Sequence, residues 1–107
     1  MYIVVFVTVP SDNDAEEIAN ELIDSKLAAC VNIISNIKSF FTWNGKKEVI
    51  TESLLVVKTE KEYFKRLQDK VKQLHSYDTP EIISMQISEG NQGYLDWISK
   101  TLSGSNP

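Results

Sequence analysis

The sequence has few of the residues that form reactive centres. Its 107 residues include a single cysteine, Cys30, and a single histidine, His75, so an internal disulfide and any paired-cysteine motif are excluded. Lysine and arginine number 11 against 15 acidic residues, the formal net charge is -4, and basic runs are no longer than the pair Lys46-Lys47. Because binding to nucleic acid or to an anionic membrane relies on clustered basic side chains, we expect neither as a partner.

Composition and length indicate one folded domain. Hydrophobic residues make up 42% and charged residues 24% of the chain, which is the balance of an ordinary globular protein. We expect residues 1–107 to form a single domain with a frayed tail over residues 103–107. The opening run "MYIVVFVTVP" lacks a basic segment and contains Pro10, so it predicts a strand rather than a signal peptide or membrane span. A lone cysteine fits a reducing compartment, and we expect a cytoplasmic protein.

The residue pattern predicts a strand near the N-terminus and two helices. β-branched and aromatic residues run almost unbroken over residues 3–9, which is typical of a central strand buried on both faces. Ser11 is the expected N-cap of the helix that follows. Thr59 and Glu62 have the spacing of a capping box, so the second helix is expected to begin at Thr59. It should end near His75, ahead of a proline.

Two long strands are expected between these helices. Asn44-Gly45 joins residues 29–43 to residues 46–59, and this dipeptide is favoured in type I′ hairpin turns because both of its residues tolerate positive φ. Each arm is longer than the usual strand of about five or six residues. We therefore expect a bulge or bend near Ser35-Asn36.

The remaining segments complete the fold prediction. "EIISMQI" predicts a fourth strand, and "NQGYLDWISKTL" predicts a C-terminal helix with Tyr94, Leu95 and Ile98 facing inward. The order is βαββαβ followed by one helix. This order predicts an α+β ferredoxin-like sandwich with a long hairpin between its second and third strands, in which one antiparallel sheet carries two helices on one face.

Several separate blocks of the sequence resemble the CutA family, the divalent-cation tolerance proteins. The blocks "KLAACVNI", "SFFTWNGK", "LLVVKT", "HSYDTPEII" and "GNQGYLDW" occur in the family's order over nearly the whole chain. The resemblance implies a ferredoxin-like subunit in a tight homotrimer, related in architecture to the PII signal-transduction proteins. It also implies a link to metal tolerance, with copper the ion most often named. Independently, a long apolar hairpin edge is a physical reason to expect association between subunits.

His75 is the candidate metal ligand. Neutral imidazole is a common ligand for copper and zinc, and a histidine opens the family motif H-P-Y-x-x-P-E that "HSYDTPE" resembles. Asp78 is a nearby carboxylate that could add an oxygen ligand. The alternatives are a histidine that contacts the last carbonyls of the helix and a solvated carboxylate. In some family members a second histidine and a further cysteine are associated with metal binding, and Leu74 and Val7 stand at those positions here.

Cys30 and four other residues complete the candidate sites. A Cys30 thiolate could bind Cu(I) or act as a nucleophile, but its apolar strand favours a small buried side chain. Trp43, Lys58, Tyr77 and Glu81 stand at family motif positions near strand ends. In a trimer they could form a cleft between subunits for a small anionic ligand or an ion. The alternative is that Trp43 packs beside the hairpin turn and Lys58 pairs with an acid.

Three hypotheses for function follow from these residues. The first is a trimeric CutA-like protein involved in divalent-metal tolerance that binds copper or a similar ion weakly and is not an enzyme. The second is a PII-like regulatory or scaffolding trimer that binds a small ligand or a partner protein in its intersubunit clefts. The third is a Cys-His hydrolase, which requires Cys30 to be exposed and reactive beside His75.

Overall fold

A computed structural model describes residues 1–104 as one antiparallel sheet of four strands packed with three α-helices. The elements are β1 Tyr2–Val9, α1 Asp12–Asp24, β2 Cys30–Trp43, β3 Lys46–Glu60, a 3₁₀ turn Lys61–Tyr63, α2 Phe64–Leu74, β4 Ile82–Gln86 and α3 Gln92–Ser103. The strand order is β2-β3-β1-β4, so β1 and β3 are central, and the α+β ferredoxin-like prediction is confirmed. No helix in the described part is long and apolar enough to span a membrane.

The main core lies between one face of the sheet and the helices α1 and α2. Alternate residues of β1 point into it, since successive side chains of a strand lie on opposite faces. Full burial of an aliphatic side chain of this size contributes about 1.5–3 kcal/mol, so this layer dominates the stability of the subunit. Its largest fully buried members are Val5, Val7, Val9, Ile18, Leu22, Leu55, Val57, Leu67 and Val71.

The opposite face of the sheet, called here the second face, is only partly covered. Val4 pairs with Met85 and Phe6 pairs with Ile83, so all four side chains lie on it. Ile83 and Met85 are 51% and 47% exposed, whereas Val4 and Phe6 are half-buried. The prediction that β1 is central is confirmed, but its burial on both faces is not achieved within one chain.

The helix α3 covers one end of the second face. The Tyr2 hydroxyl and Ser99 Oγ lie 2.6 Å apart, and Ser99 Oγ lies 3.2 Å from a carboxylate oxygen of Glu60. Ile98 is buried as predicted, but Tyr94 was expected to face inward and is instead 42% exposed. Its ring stacks on Trp97, with the ring centroids 5.6 Å apart.

The end of α3 differs slightly from the expected end of the helix. The helix includes Ser103, one residue more than the sequence pattern indicated, and Gly104 caps it with a φ of 83°. Glycine adopts this left-handed conformation at little cost, which is why it often follows the last helical residue. The rest of the predicted tail, residues 105–107, lies outside the described residues.

The hairpin between β2 and β3 has the predicted turn and bulge. Asn44 and Gly45 have φ values of 52° and 76°, as a type I′ turn requires. The pairing register shifts between Ile34 and Ile37, where Asn36 has a φ of 58°. The two arms extend the molecule to 47 Å along its longest axis.

Asp12 at the start of α1 fastens the helix to the bulged part of the hairpin. Its carboxylate accepts hydrogen bonds from Ser35 Oγ at 2.8 Å and from Ser53 Oγ at 2.5 Å. The hydroxyl of Ser53, followed by that of Ser35, lowers the pKa of Asp12, because both donors stabilise the ionised form. As predicted, Ser11 caps the same helix, with its Oγ accepting from the Asp14 amide at 3.2 Å.

The expected capping box at the second helix is wrong. Thr59 is a buried residue of β3 that pairs with Ile3, and its hydroxyl donates to the Leu27 carbonyl at 2.7 Å. Glu60 precedes the 3₁₀ turn without a side-chain cap, and α2 begins only at Phe64. Burial of a β-branched residue in the sheet therefore outweighs the local capping preference. The predicted end of the helix near His75 is confirmed.

Candidate functional site

A cleft of about 970 Å³ opens between the outer part of the hairpin and the loop that joins α2 to β4. We call it the hairpin cleft. The hairpin supplies most of its wall, the loop supplies the facing side, and β1 contributes Thr8. The residues that line it are Thr8, Ser39, Phe40, Phe41, Trp43, Glu48, Ile50, Glu52, Tyr77, Asp78, Thr79 and Glu81.

The hairpin register explains how aromatic and acidic side chains come to share this wall. Because Asn44-Gly45 is a tight two-residue turn, Trp43 pairs with Lys46, Phe41 with Glu48, and the next pairs follow in step. Directly paired residues of an antiparallel ladder project from the same face of the sheet. Phe41 and Glu48 are thus neighbours on the face that lines the cleft.

Glu52 and Tyr77 connect the two sides of the cleft. The Tyr77 hydroxyl donates to Glu52 Oε2 at 3.0 Å, and Glu52 is only 6% exposed. Burial, followed by this hydrogen bond and the negative charge of Glu52, raises the pKa of Tyr77 to about 12. The pair holds the loop against the hairpin and keeps a carboxylate at the cleft.

The hairpin cleft is strongly acidic. Four of its lining residues are carboxylates, Glu48, Glu52, Asp78 and Glu81, and none of the lining residues is lysine, arginine or histidine. The ion pair found within residues 1–104, between Lys70 and Glu21, joins α2 to α1 rather than neutralising this charge. The arrangement attracts cations and repels anions.

Lys58 does not line the cleft, in contrast to the other three residues of the predicted ligand site. It lies opposite Val4 on β1, and its ammonium group donates to Asn32 Oδ1. Trp43, Tyr77 and Glu81 are brought together, and Asp78 joins them. Without the ammonium of Lys58, the small anionic ligand expected from the sequence has no charge partner among the residues that line the cleft.

Both ring nitrogens of His75 are hydrogen-bonded to the backbone. Nδ1 accepts from the Tyr77 amide at 3.1 Å, so the proton of a neutral ring is on Nε2, which donates to the Thr8 carbonyl at 2.7 Å. A metal needs the lone pair of a free ring nitrogen. In this arrangement His75 joins the end of α2 to β1 and offers no such lone pair. The alternative weighed for His75 was contact with the last carbonyls of its helix, whereas the contact is with Thr8.

Cys30 lies elsewhere and is not part of the core, so the expected burial is wrong. It is half-buried on β2 directly opposite Lys58, and its thiol is 3.9 Å from Asn32 Oδ1. Burial and then the neighbouring Cys30 thiol raise the pKa of Tyr94. The sequence around Cys30 did not indicate a basic neighbour, because Lys58 lies on the facing strand β3.

Cys30 and His75 do not form one site. Lys58, which faces Cys30, pairs with Val4, whereas His75 binds the carbonyl of Thr8. Thr8 lies four positions after Val4, which is about 13 Å along β1. Neither a Cys-His catalytic dyad nor a shared copper site is assembled.

The described residues contain no ready-made metal centre. Within residues 1–104 no three side chains of histidine, cysteine, aspartate or glutamate converge closely enough to hold a metal ion. The carboxylates of the hairpin cleft are the right ligand type for hard divalent ions. They are too dispersed in one chain to form a tight site.

The fold and the cleft define a class of ferredoxin-like subunits with a projecting hairpin, and the comparisons with known proteins place the chain more narrowly. Residues 3–101 match the model of the CutA1 divalent ion tolerance protein family, and the chain belongs to that family. It is 48% identical to the divalent-cation tolerance protein CutA of Archaeoglobus fulgidus over 95% of this chain and 99% of that protein. The human protein CutA is 40% identical, and the match covers 87% of this chain and 52% of the human protein.

Solved structures agree with this assignment. The structure of the A. fulgidus protein is described as that of a periplasmic divalent cation tolerance protein, and it matches this chain with a TM-score of 0.93 and 48% identity. The match covers 95% of this chain and 99% of the A. fulgidus chain. The divalent cation tolerance protein of Thermus thermophilus has a TM-score of 0.90 at 46% identity, covering 92% of this chain and 95% of its own.

Phe41, Glu48 and Glu52 also line the cleft, although no motif in the sequence indicated them. The signal was present in the turn, because Asn44-Gly45 fixes which residues pair across the hairpin. Counting outward from that turn places Phe41 and Glu48 beside Trp43. The contact between Tyr77 and Glu52 cannot be derived from the hairpin register, because it depends on the position of the loop that carries Tyr77.

Proposed function

We propose that the protein is a homotrimer that takes part in divalent-metal tolerance, and that its hairpin clefts attract copper or another divalent cation weakly. The observation that carries the proposal is the cleft wall of four carboxylates with no basic side chain. Membership of the CutA1 family supports the link to metal tolerance. The protein acts by binding rather than by catalysis.

The second face supports the trimer. Ile34, Ile83 and Met85 are exposed on it beside the half-buried Val4 and Phe6, and apolar residues that lie together on a sheet face are typical of interfaces. Cyclic association of three copies would cover this face and the hairpin edges. Light scattering should return three times the 12.1 kDa of one chain. A monomer mass at micromolar concentration would contradict the proposal.

Weak metal binding follows from the dispersion of the carboxylates. Asp78 and Glu81 are exposed at the cleft, and no three-ligand group forms within residues 1–104, so ligands from a neighbouring subunit complete the coordination. Calorimetric titration with Cu²⁺ and with Zn²⁺ tests this directly. The double variant Asp78→Asn/Glu81→Gln should lose most of the binding.

A matched control separates a site from general charge attraction. Glu62 and Asp69 are exposed carboxylates on the 3₁₀ turn and α2, outside the cleft. The variant Glu62→Gln/Asp69→Asn changes the net charge by the same amount and should bind metal like the unmodified protein. Equal losses in the two double variants would reject the cleft as the metal site.

A second candidate function is a PII-like regulatory or scaffolding trimer whose clefts bind a small ligand or a partner. The volume of about 970 Å³ lies within the range of about 300–1,000 Å³ common for small-molecule sites, and its aromatic walls favour an organic ligand. Analysis of purified protein discriminates between the candidates. A stoichiometric metal favours the first, and a co-purifying organic molecule favours the second.

We further propose that the protein is cytoplasmic, because its single cysteine suits a reducing compartment. The A. fulgidus relative is described as periplasmic, and a relative from rice is described as chloroplastic. Fractionation of the source cells tests the location. Recovery outside the cytoplasm would overturn this part of the proposal.

A further inference from the structure

We propose that His75 is a pH-sensitive latch, whose neutral ring fastens the loop between α2 and β4 and whose protonated ring releases the Tyr77 end of that contact. The loop comprises residues 75–81, between the end of α2 and the start of β4. The two ring contacts act whether or not the hairpin cleft holds a ligand, so the latch goes beyond the proposed function and does not depend on it.

The neutral form of the ring satisfies both of its contacts. The Tyr77 amide donates to Nδ1 at 3.1 Å, which requires a lone pair on that nitrogen. Nε2 lies 2.7 Å from the Thr8 carbonyl and donates its proton to it. A protonated imidazole carries a hydrogen on both nitrogens and accepts no hydrogen bond. Proton uptake therefore keeps the contact with Thr8 but sets two donors, the ring Nδ1 and the Tyr77 amide, against each other.

The loss of this contact acts on the loop because Tyr77 is a main point of its attachment. The Tyr77 ring packs on the imidazole with the ring centroids 4.9 Å apart, and its hydroxyl donates to Glu52 at 3.0 Å. A half-buried amide that loses its acceptor favours a position of the loop in which water reaches it. The contact with Glu52 remains, so we expect partial release in the unmodified protein and fuller release where the Tyr77 hydroxyl is removed.

The surroundings of the ring accept a positive charge. The titratable groups near the ring and its partner Tyr77 are Asp14 of α1, Glu52 of β3, Lys72 in the last turn of α2 and Asp78 of the loop. Three of these four are acidic, and β1 presents the uncharged carbonyl of Thr8. The ring also stands at the C-terminal end of α2, where the helix dipole favours cations. Proton uptake therefore does not require the subunit to unfold.

The titration of the latch can be isolated because His75 is the only histidine of the chain. An imidazole in a model peptide exchanges its proton at about pH 6.5, whereas carboxyl groups do so at about pH 4 and thiols and amines above about pH 7.5. Since only the neutral ring accepts from the Tyr77 amide, the latch contact is present above about pH 6.5 and is lost as the pH falls below that value.

Nuclear magnetic resonance of the intact protein, labelled with nitrogen-15, follows both partners of the contact. At about pH 7.5 the ring nitrogen signals should report a neutral ring with its proton on Nε2. As the pH falls to about 5.5, the ring signals and the backbone amide signal of Tyr77 should move together with one midpoint. The amide signal of Leu102, buried under α3 on the other face of the sheet, is the internal control and should not follow that midpoint.

Two variants assign the movement to the latch. His75→Gln is the matched control, because the glutamine amide offers one acceptor and donors but does not titrate in this range. It should abolish the movement of the Tyr77 signal with pH. In Tyr77→Phe the hydroxyl contact with Glu52 is absent, so nitrogen-15 relaxation of residues 76–79 should show a larger gain in mobility on acidification than in the unmodified protein.

Three results would overturn the latch: a ring that stays neutral down to about pH 5.5, a ring that gains its proton while the Tyr77 amide signal stays in place, or a His75→Gln protein that keeps the pH dependence. Circular dichroism checks that His75→Gln folds, and the first two comparisons use the unmodified protein and decide the matter without it. The samples contain no metal. Failure of the latch therefore leaves the metal titration of the hairpin cleft, and the proposed function, to be judged separately.

Discussion

Replacing Tyr77 by phenylalanine should destabilise the protein through Glu52. The substitution keeps the ring and its packing but removes the hydroxyl that donates to Glu52 Oε2 at 3.0 Å. Glu52 is 6% exposed, so it would lose a donor in a position that water reaches poorly. Hydrogen bonds to charged groups contribute about 1.5–3 kcal/mol. We expect the free energy of unfolding to fall by about this amount.

Thermal and urea unfolding at one fixed protein concentration measure the change, since an oligomer's stability depends on concentration. For a chain of about this size, each kcal/mol corresponds to a melting shift of about 4–8 °C. Tyr94→Phe is the control, because Tyr94 lies outside the cleft and is 42% exposed, and its effect should remain within about 0.5 kcal/mol.

A double-mutant cycle with Glu52→Gln isolates the pair. The coupling energy between Tyr77→Phe and Glu52→Gln should be at least about 1 kcal/mol, because Tyr77→Phe removes the donor and Glu52→Gln removes the charge of the acceptor in the same charge-assisted hydrogen bond. A Tyr77→Phe protein that unfolds like the unmodified one, with coupling near zero, would refute the view that this contact holds the loop against the hairpin.

Four further predictions concern stability. Gly45→Val should lower the free energy of unfolding by about 1 kcal/mol or more, because φ is 76° at this position, whereas Gly45→Asn should lower it less. Equal melting temperatures of the two variants would contradict the turn assignment. Because the pKa of Tyr77 is raised from 10.0 to about 12, the protonated hydroxyl contributes to the free energy of unfolding below pH 10, and this contribution is lost as the pH rises towards 12. Denaturation curves should show a steeper alkaline loss in the unmodified protein than in Tyr77→Phe, and parallel losses would argue against it. Because the pKa of Asp12 lies below 3.8, the ionised carboxylate contributes to the free energy of unfolding above that pH, and this contribution is lost in stronger acid. The difference in stability between the unmodified protein and Asp12→Asn should therefore shrink below about pH 4. A difference that grows in acid would contradict the prediction. His75→Ala leaves the Thr8 carbonyl and the Tyr77 amide without their hydrogen-bond partner, so the free energy of unfolding should fall by about 1–3 kcal/mol while metal affinity is kept. Lost metal affinity with unchanged stability would instead identify His75 as a ligand.

The order of elements was predictable because each depends on a local pattern. The β-branched run of β1, the Ser11 cap and the Asn44-Gly45 turn each act over a few residues, and the structure contains all three. Thr59 shows where local rules fail. Its spacing to Glu62 suits a capping box, but pairing with β1 buries it in the sheet.

The candidate site was only partly predictable, since it depends on contacts between distant segments. Trp43 and Tyr77 stand at recognisable motif positions, yet their common cleft exists because the loop after α2 lies against the hairpin. Lys58 was assigned to the same cleft from its motif position, although alternation along β3 places it near Cys30 instead. The bonding of His75 to Thr8 likewise joins residues far apart in the sequence.

Paramagnetic broadening of backbone amide signals, mapped on adding Cu²⁺ to the intact, isotope-labelled protein, tests most directly whether the hairpin cleft binds cations. We expect early loss of the signals of Glu48, Asp78 and Glu81, which line the hairpin cleft, and persistence of those of Cys30 and Asn32 at the other end of the sheet. The same pattern should survive in His75→Ala if that variant remains folded. Broadening centred on Cys30, or its disappearance from the cleft in His75→Ala, would contradict the assignment of cation binding to the carboxylates of the hairpin cleft.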